Sequence, residues 1–296
     1  MLKKLALVLL SSVAISTVCL AQFNQPLAVQ KIKGNIYVVK GGNGANNGFY
    51  AGENEIAVID TKTTTDSEKQ TIQEIKNIST KPVTRIILTH SDADHVNGLN
   101  AFPSGLKIYG HPQTKKDMEE ASNTPNLQYL REYLPNEACS PCTASKNPVQ
   151  SIQVGSENIQ LYFFGPAHTS GDLIVYFPAE KVAFVGDLAF TGRDPLIHRI
   201  KGGSSTGLLE VLRRMIALDA DTYVTGHSDP LSKKELQGVY NSVSEKRDKV
   251  KAMVDEGKSL AEIKKAFGIE EGPAKPGMMR FMSFPEVVYL DLTEMK

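Results

Sequence analysis

Thr89-His90-Ser91-Asp92-Ala93-Asp94-His95-Val96-Asn97-Gly98 puts four potential metal ligands, at positions 90, 92, 94 and 95, within six residues. The stretch directly follows Arg85-Ile86-Ile87-Leu88-Thr89, a short apolar run of the kind that forms a buried strand. A loop leaving such a strand can point its side chains into one cavity. Imidazole and carboxylate together suit zinc, manganese or iron. The competing reading is a polar loop with capping Asp residues and incidental His. The whole chain has only six His in 296 residues, so that coincidence would be improbable.

Working outward, three later segments repeat the style. Gly165-Pro166-Ala167-His168-Thr169-Ser170-Gly171-Asp172 lies between two predicted strands. Phe184-Val185-Gly186-Asp187 ends a strand, and Val224-Thr225-Gly226-His227-Ser228 ends another. Each alone reads as a turn or a loop histidine. Together they place His, Asp and His at the exits of successive buried strands, where sites of α/β proteins are built. His111 follows a predicted strand and is a candidate for bracing a ligand. His198 reads first as a surface histidine, with substrate contact as the alternative.

The pattern between these segments predicts two runs of strands, each followed by helices. Strands are predicted at Ile32–Lys40, Phe49–Ala51, Glu55–Asp60, 85–89 and Lys107–Gly110, with a helix at Thr65–Ile78 capped by Asp66 or Ser67. Pro112–Leu134 reads as mostly helical. Strands follow at Gln150–Val154, Ile159–Phe164, Leu173–Phe177, Val182–Val185 and Thr222–Thr225, with helices at Thr206–Ala217, Leu231–Lys251 and Ser259–Phe267. Val287–Leu292 reads as a last strand. Two sheets, each covered by helices within one domain, are the architecture this order implies.

Composition excludes several classes. There are 33 Lys and Arg against 33 Asp and Glu, so the chain is neither a basic nucleic-acid binder nor an acidic disordered one. Met1-Leu2-Lys3-Lys4, an apolar run from Leu5 to Leu20 and then Ala21-Gln22 read as a signal peptide, residues 1–21, cleaved after Ala21. The run is short and hydroxyl-containing for a membrane span, so no stable membrane insertion is expected after cleavage. The remaining 22–296 form a single predicted domain, periplasmic or secreted, with a C-terminal helical extension at 231–267. Without Lys3 and Lys4, 31 basic residues face 33 acidic ones. Cys139 and Cys142 remain, and in an exported chain a short local disulfide is their expected state.

The order H-x-D-x-D-H, H-x-x-G-D, G-D and G-H resembles that of the metallo-β-lactamase fold superfamily. His168 stands 78 residues after His90, Asp187 stands 19 after His168, and His227 stands 40 after Asp187. The resemblance spans nearly all of 28–230. It implies an αβ/βα four-layer sandwich, as in glyoxalase II, with a dinuclear metal site at one edge of the two sheets. Carried over by position, the first metal takes His90, Asp92 and His168. The second takes Asp94, His95 and His227, and Asp187 bridges them. The family's common form has His where this chain has Asp92. Two zinc ions are the implied cofactors, with iron or manganese as alternatives at the carboxylate-containing first site. The second site is expected to fill first.

The resemblance implies metal-assisted hydrolysis of an ester, lactone, thioester, phosphoester or amide by hydroxide formed from a metal-held water. Asp94 is the expected catalytic group, orienting that hydroxide and carrying its proton. Asp172 is expected to brace His168. Arg193, Arg199 and Lys201 follow the Asp187 strand and are candidates, with His198, for meeting substrate. A bridging Asp187 is similar to the glyoxalase-II-like, lactonase-like and phosphodiesterase-like branches more than to true β-lactamases. Retention of His95 and His227 argues against a mono-iron persulfide dioxygenase. The implied partner is a small molecule. The substrate itself is not written in the sequence.

Overall fold

Apolar residues at consecutive strand positions need cover on both faces, and the tertiary structure supplies it twice. The computed structural model of the chain describes residues 25–140, 142–269 and 281–294. The predicted leader, 1–21, lies outside the described residues. A seven-stranded sheet has the order β1 (Gln25–Lys33), β2 (Ile36–Gly42), β3 (Asn47–Ala51), β4 (Ile56–Ile59), β5 (Val83–Ile87), β6 (Lys107–Gly110) and β7 (Glu137–Ala138). A six-stranded sheet has β13 (Leu231–Ser232) at one edge. It continues through β12 (Thr222–Thr225), β11 (Val182–Gly186), β10 (Ile174–Phe177) and β9 (Glu157–Tyr162) to β8 (Gln150–Val154).

Successive side chains of a strand point to opposite faces, and here the two faces sort into separate cores. Val38, Tyr50, Ala57, Ile59 and Ile87 meet Ile152, Leu161, Val175, Phe177 and Phe184 between the sheets. Their neighbours Val39, Phe49, Val58, Ile86 and Leu88 face outward to a second core. That core is covered by α1 (Thr65–Ile78) and α3 (Pro112–Ala121). On the other side, Tyr176, Ala183, Val185 and Tyr223 pack beneath α4 (Ser205–Ala217), α5 (Lys233–Asp255), α6 (Leu260–Ala266) and α7 (Phe284–Glu294). The helix–sheet–sheet–helix sandwich is the expected one. Among the described residues no helix is long and apolar enough to cross a membrane.

Several features differ from the sequence reading. Val287–Leu292 belongs to α7 and is not a strand. Ser283 starts that helix, its backbone N–H and hydroxyl both donating to Glu286. Val287 and Val288 are then buried in the helical layer, and Asp291 reaches α4 to accept from Ser205 N and Oγ at 2.8 and 2.7 Å. Packing of this kind overrides a β-branched run. The single strand predicted at 32–40 is a hairpin that turns at Gly34, where φ is +52°. Pro112–Leu134 is broken at Ser122–Thr124 into α3 and a 3-10 segment at Pro125–Tyr133. Thr64, not Asp66 or Ser67, caps α1, accepting from Ser67 N at 3.2 Å. The Ser67 hydroxyl instead accepts from Asn43 N.

β4, β5 and β6 run parallel, as do β11 and β12. Their C-terminal ends deliver Asp60, the 89–98 loop, His111, Asp187 and His227. Parallel strands joined by crossovers open their exits on the same side, which is why residues far apart in sequence meet there.

Candidate metal centre

Asp92 precedes a one-turn helix, α2 (Ala93–Val96), yet its side chain does not cap it. The carboxylate turns inward instead, which removes the capping explanation for this residue. The turn carries Asp94 and buried His95 to the same side. Two clusters result. His90, Asp92, His168 and Asp187 are all buried, with one ligand atom from each lying within 4.8 Å of the others. Asp94, His95 and His227 form the second group under the same limit.

Asp187 ties the clusters together. Its Oδ1 lies 3.3 Å from His95 Nε2 and its Oδ2 3.2 Å from His227 Nε2. His227 Nε2 is also 3.1 Å from Asp94 Oδ2. On the other side, Asp92 Oδ2 is 3.1 Å from His168 Nε2 and 3.8 Å from His90 Nε2. Yet His90 Nε2, His95 Nε2 and Asp187 Oδ1 are buried with no aligned hydrogen-bond partner. Unpartnered buried polar atoms are costly. Imidazole nitrogens and carboxylate oxygens converging on one point, three of them left without an aligned partner, are the donor set of a divalent cation, so these residues fit a metal pair.

The Nδ1 sides of three rings, His90, His95 and His168, are anchored. His95 Nδ1 lies 2.8 Å from Asp60 Oδ2, and His168 Nδ1 lies 2.8 Å from the Leu196 carbonyl. His90 Nδ1 is 2.9 Å from Thr89 Oγ1, which donates to Asp60 Oδ2 at 2.7 Å. In the neutral rings these contacts place the proton on Nδ1 and leave the Nε2 lone pair facing inward, as cation binding requires. Sequence reasoning missed Asp60. Its signal was available: an Asp at a strand exit, here in the left-handed region at φ +57°. Gly226 keeps the wall close, since a Cβ there would stand 2.2 Å from Asp187 Oδ1.

Electrostatics follow from this crowding. Burial alone would raise the carboxyl of Asp187, but His95 and His227 hold it well below its ordinary value. Asp92 is likewise held far down against burial by the imidazoles of His168, His198 and His90. Burial pushes the imidazoles of His168 and His227 down, but the facing carboxylates win and raise both to about 9. Protons and cations therefore compete for the same nitrogens.

The remaining predicted residues divide. Asp172 does not touch the His168 ring; it accepts from Thr169 N and Oγ1, bracing the loop one residue on. Cys139 and Cys142 are joined by a disulfide just past β7, with Cα atoms 5.2 Å apart. His111 stays outside both clusters. It caps α3, accepting from Gln113 N at 3.0 Å, and burial holds it down at about 4. Arg199 turns away to Asp291 and Glu294. Arg193 is exposed, its guanidinium 4.1 Å over the Phe190 ring. Phe190, 6.0 Å from the His227 ring, also lines a cleft of about 400 Å³ with Arg193, Asp194 and Lys246. Lys201 enters the site, its Nζ 2.7 Å from Asp92 Oδ1 and 3.2 Å from Ser91 O. His198 is not a surface histidine: it is 7% exposed, with Nε2 3.0 Å from Asp92 Oδ2.

The sequence profile of the metallo-beta-lactamase superfamily matches residues 40–227. The chain is 27% identical over 241 residues to the metallo-beta-lactamase type 2 of Elizabethkingia meningoseptica, covering 76% of this chain and 88% of that one. It is 27% identical over 188 residues to the 2,4-dinitroanisole O-demethylase subunit alpha of Nocardioides sp. (strain JS1661), covering 63% of this chain and 53% of that one. The chain thus spans about half the length of that subunit. Among solved structures, a metallo-beta-lactamase from Pontibacter korlensis matches with a TM-score of 0.61 at 18% identity, covering 74% of this chain and 99% of that one.

Proposed function

The chain belongs to the metallo-beta-lactamase superfamily, and from that premise we propose that it is a hydrolase working with two zinc ions on an ester, lactone, thioester, phosphoester or amide. The observation that carries the reading is Asp187, a buried carboxylate with one oxygen beside His95 and the other beside His227, itself part of the His90–Asp92–His168 cluster. When bound, a cation pair supplies Lewis acidity toward the substrate oxygen and makes water acidic enough to ionise near neutral pH.

The residues supply the rest. His90, His168 and Asp92 would hold one cation, and Asp94, His95 and His227 the other. Asp94 lies at the mouth of the second cluster, 31% exposed against 4% for Asp187. It is the carboxylate best placed to orient an attacking water and accept its proton. Burial would raise the Asp94 carboxyl, but His227 and His95 hold it below its ordinary value, so it stands ionised. Lys201 neutralises Asp92 from outside, and Thr89 and Asp60 hold the rings of His90 and His95. Phe281, 4.9 Å from the His198 ring and half exposed, together with exposed Ile200, supports a substrate with an apolar flank. The leader-like 1–21 segment and the Cys139–Cys142 disulfide support action outside the cytoplasm.

The test is a substrate screen on zinc-loaded protein with nitrocefin, lactones, S-lactoylglutathione and aryl phosphodiesters. 2,4-Dinitroanisole joins the panel because the relative named for it matches 63% of the chain. Hydrolysis of one class, abolished by chelation and restored by zinc, is the expected result. A protein that binds one iron and no zinc, or hydrolyses nothing with two zincs bound, refutes the proposal.

A further inference from the structure

We propose that His198 is a metal ligand, supplying at the first site the third imidazole that the sequence lacks at position 92. The inference rests on the two-cation reading above. Asp92 Oδ2 is approached by three imidazole nitrogens: His198 Nε2 at 3.0 Å, His168 Nε2 at 3.1 Å and His90 Nε2 at 3.8 Å. Two ligand atoms of one cation with bonds of about 2.0–2.1 Å at a tetrahedral angle stand roughly 3.3–3.4 Å apart. The three separations bracket that value. His198 lies outside the tight cluster of His90, Asp92, His168 and Asp187, joining it on the side of Asp92 and His168.

Neither ring nitrogen of His198 has an aligned hydrogen-bond partner, although the residue is more than nine-tenths buried. A histidine kept only to donate to Asp92 would be turned to point its N–H at the oxygen. The backbone explains how the ring is delivered. His198 N donates to the His168 carbonyl at 2.8 Å, and its own carbonyl accepts from Lys201 N and Gly203 N at 2.9 Å each. The segment that carries the extra imidazole is therefore pinned to the segment that carries an established member of the cluster.

Lys201 completes the arrangement. Its ammonium holds Asp92 Oδ1, which leaves Oδ2 as the single oxygen facing the imidazoles. The substitution of a carboxylate for an imidazole at position 92 is thus answered twice from one short segment. Lys201 cancels the added charge, and His198 restores the nitrogen count. Phe281 closes the outer face of the ring.

Cobalt(II) titration of the whole mature protein tests this without reference to activity. Wild type should take two equivalents. His198→Ala should keep one tight equivalent and bind the other more than about 100-fold more weakly, beyond the range typical of partners outside the coordination sphere. His198→Cys should take two equivalents and show a sulfur-to-cobalt charge-transfer band absent from wild type. His198→Gln, which keeps volume and polarity, replaces the Ala variant if that protein misfolds by circular dichroism. Two equivalents bound by His198→Ala with wild-type affinity and ligand-field spectrum, or no charge-transfer band in fully loaded His198→Cys, would overturn the assignment and leave the two-cation reading standing. Wild type that binds no cobalt would sink both.

Discussion

Asp60 controls one imidazole in each cluster, so a single amide substitution there should weaken both sites. Its Oδ1 accepts from Thr89 N at 2.7 Å; its Oδ2 accepts from Thr89 Oγ1 at 2.7 Å and from His95 Nδ1 at 2.8 Å. Thr89 Oγ1 passes the constraint to His90. Asp60→Asn keeps the shape, and Asn tolerates the left-handed backbone that Asp60 occupies at φ +57°. With its carbonyl oxygen on Thr89 N, its NH2 faces His95 Nδ1 donor to donor. Relief requires the other tautomer, which puts the proton on Nε2, where a cation would bind. Loss of such an outer partner costs about 10–100-fold in metal affinity, or roughly 1.4–2.8 kcal/mol per site. Competition against a chromophoric chelator measures this for zinc or cobalt, with the melting of chelated protein as the fold control. Wild-type dissociation constants for both equivalents in a folded variant would refute the tautomer argument.

Further predictions concern the reaction, the frame and pH. Asp94→Asn should lower kcat by about 100-fold or more with KM nearly unchanged, since it removes a proton acceptor and not a substrate contact; an unchanged kcat excludes that role. Lys62→Met should destabilise the fold by about 3 kcal/mol or more in urea unfolding, because fully buried Lys62 donates to the carbonyls of Val39, Gly41 and Ala45, at about 1 kcal/mol or more for each left unpaired. The same change should weaken metal binding, as Ala45 N reaches the Asp94 carbonyl and Asn46 N the Gly226 carbonyl; a loss below about 1 kcal/mol would mean water replaces the ammonium. His168 and His227 are raised from 6.5 to about 9 in the cation-free fold. Raised histidines stabilise fully below the unfolded value and lose that contribution as pH climbs through the folded one. The melting temperature of chelated protein should therefore fall between about pH 6.5 and 9 while zinc affinity rises; a flat melting profile counts against the carboxylate contacts.

Some of this was open to reading and some was not, for identifiable reasons. Ile86, Ile87 and Leu88 announce a strand because both faces are covered, so no polar residue interrupts the run. His90 through His95 announce a site because the ligand types crowd into one loop. Val287 and Val288 misled because a β-branched pair fits a strand or a buried helix, and only contact with α4 and α5 decides between them. Arg193, Arg199 and Lys201 were indistinguishable by sequence, yet only Lys201 turns into the site. Distances in sequence explain the rest: Asp60 meets His95 across 35 residues, and Lys201 meets Asp92 across 109.

By itself, the sequence determined the two-sheet sandwich and the four segments that bring His and Asp to strand exits. Both are written in local pattern, in apolar runs and in turn-rich motifs between them. Only the tertiary structure decided that Asp60 orients the rings, that Lys201 balances Asp92, and that His198 is buried against that carboxylate. Those roles depend on which loops the parallel strand ends bring side by side, and no local pattern records a neighbour supplied by distant chain.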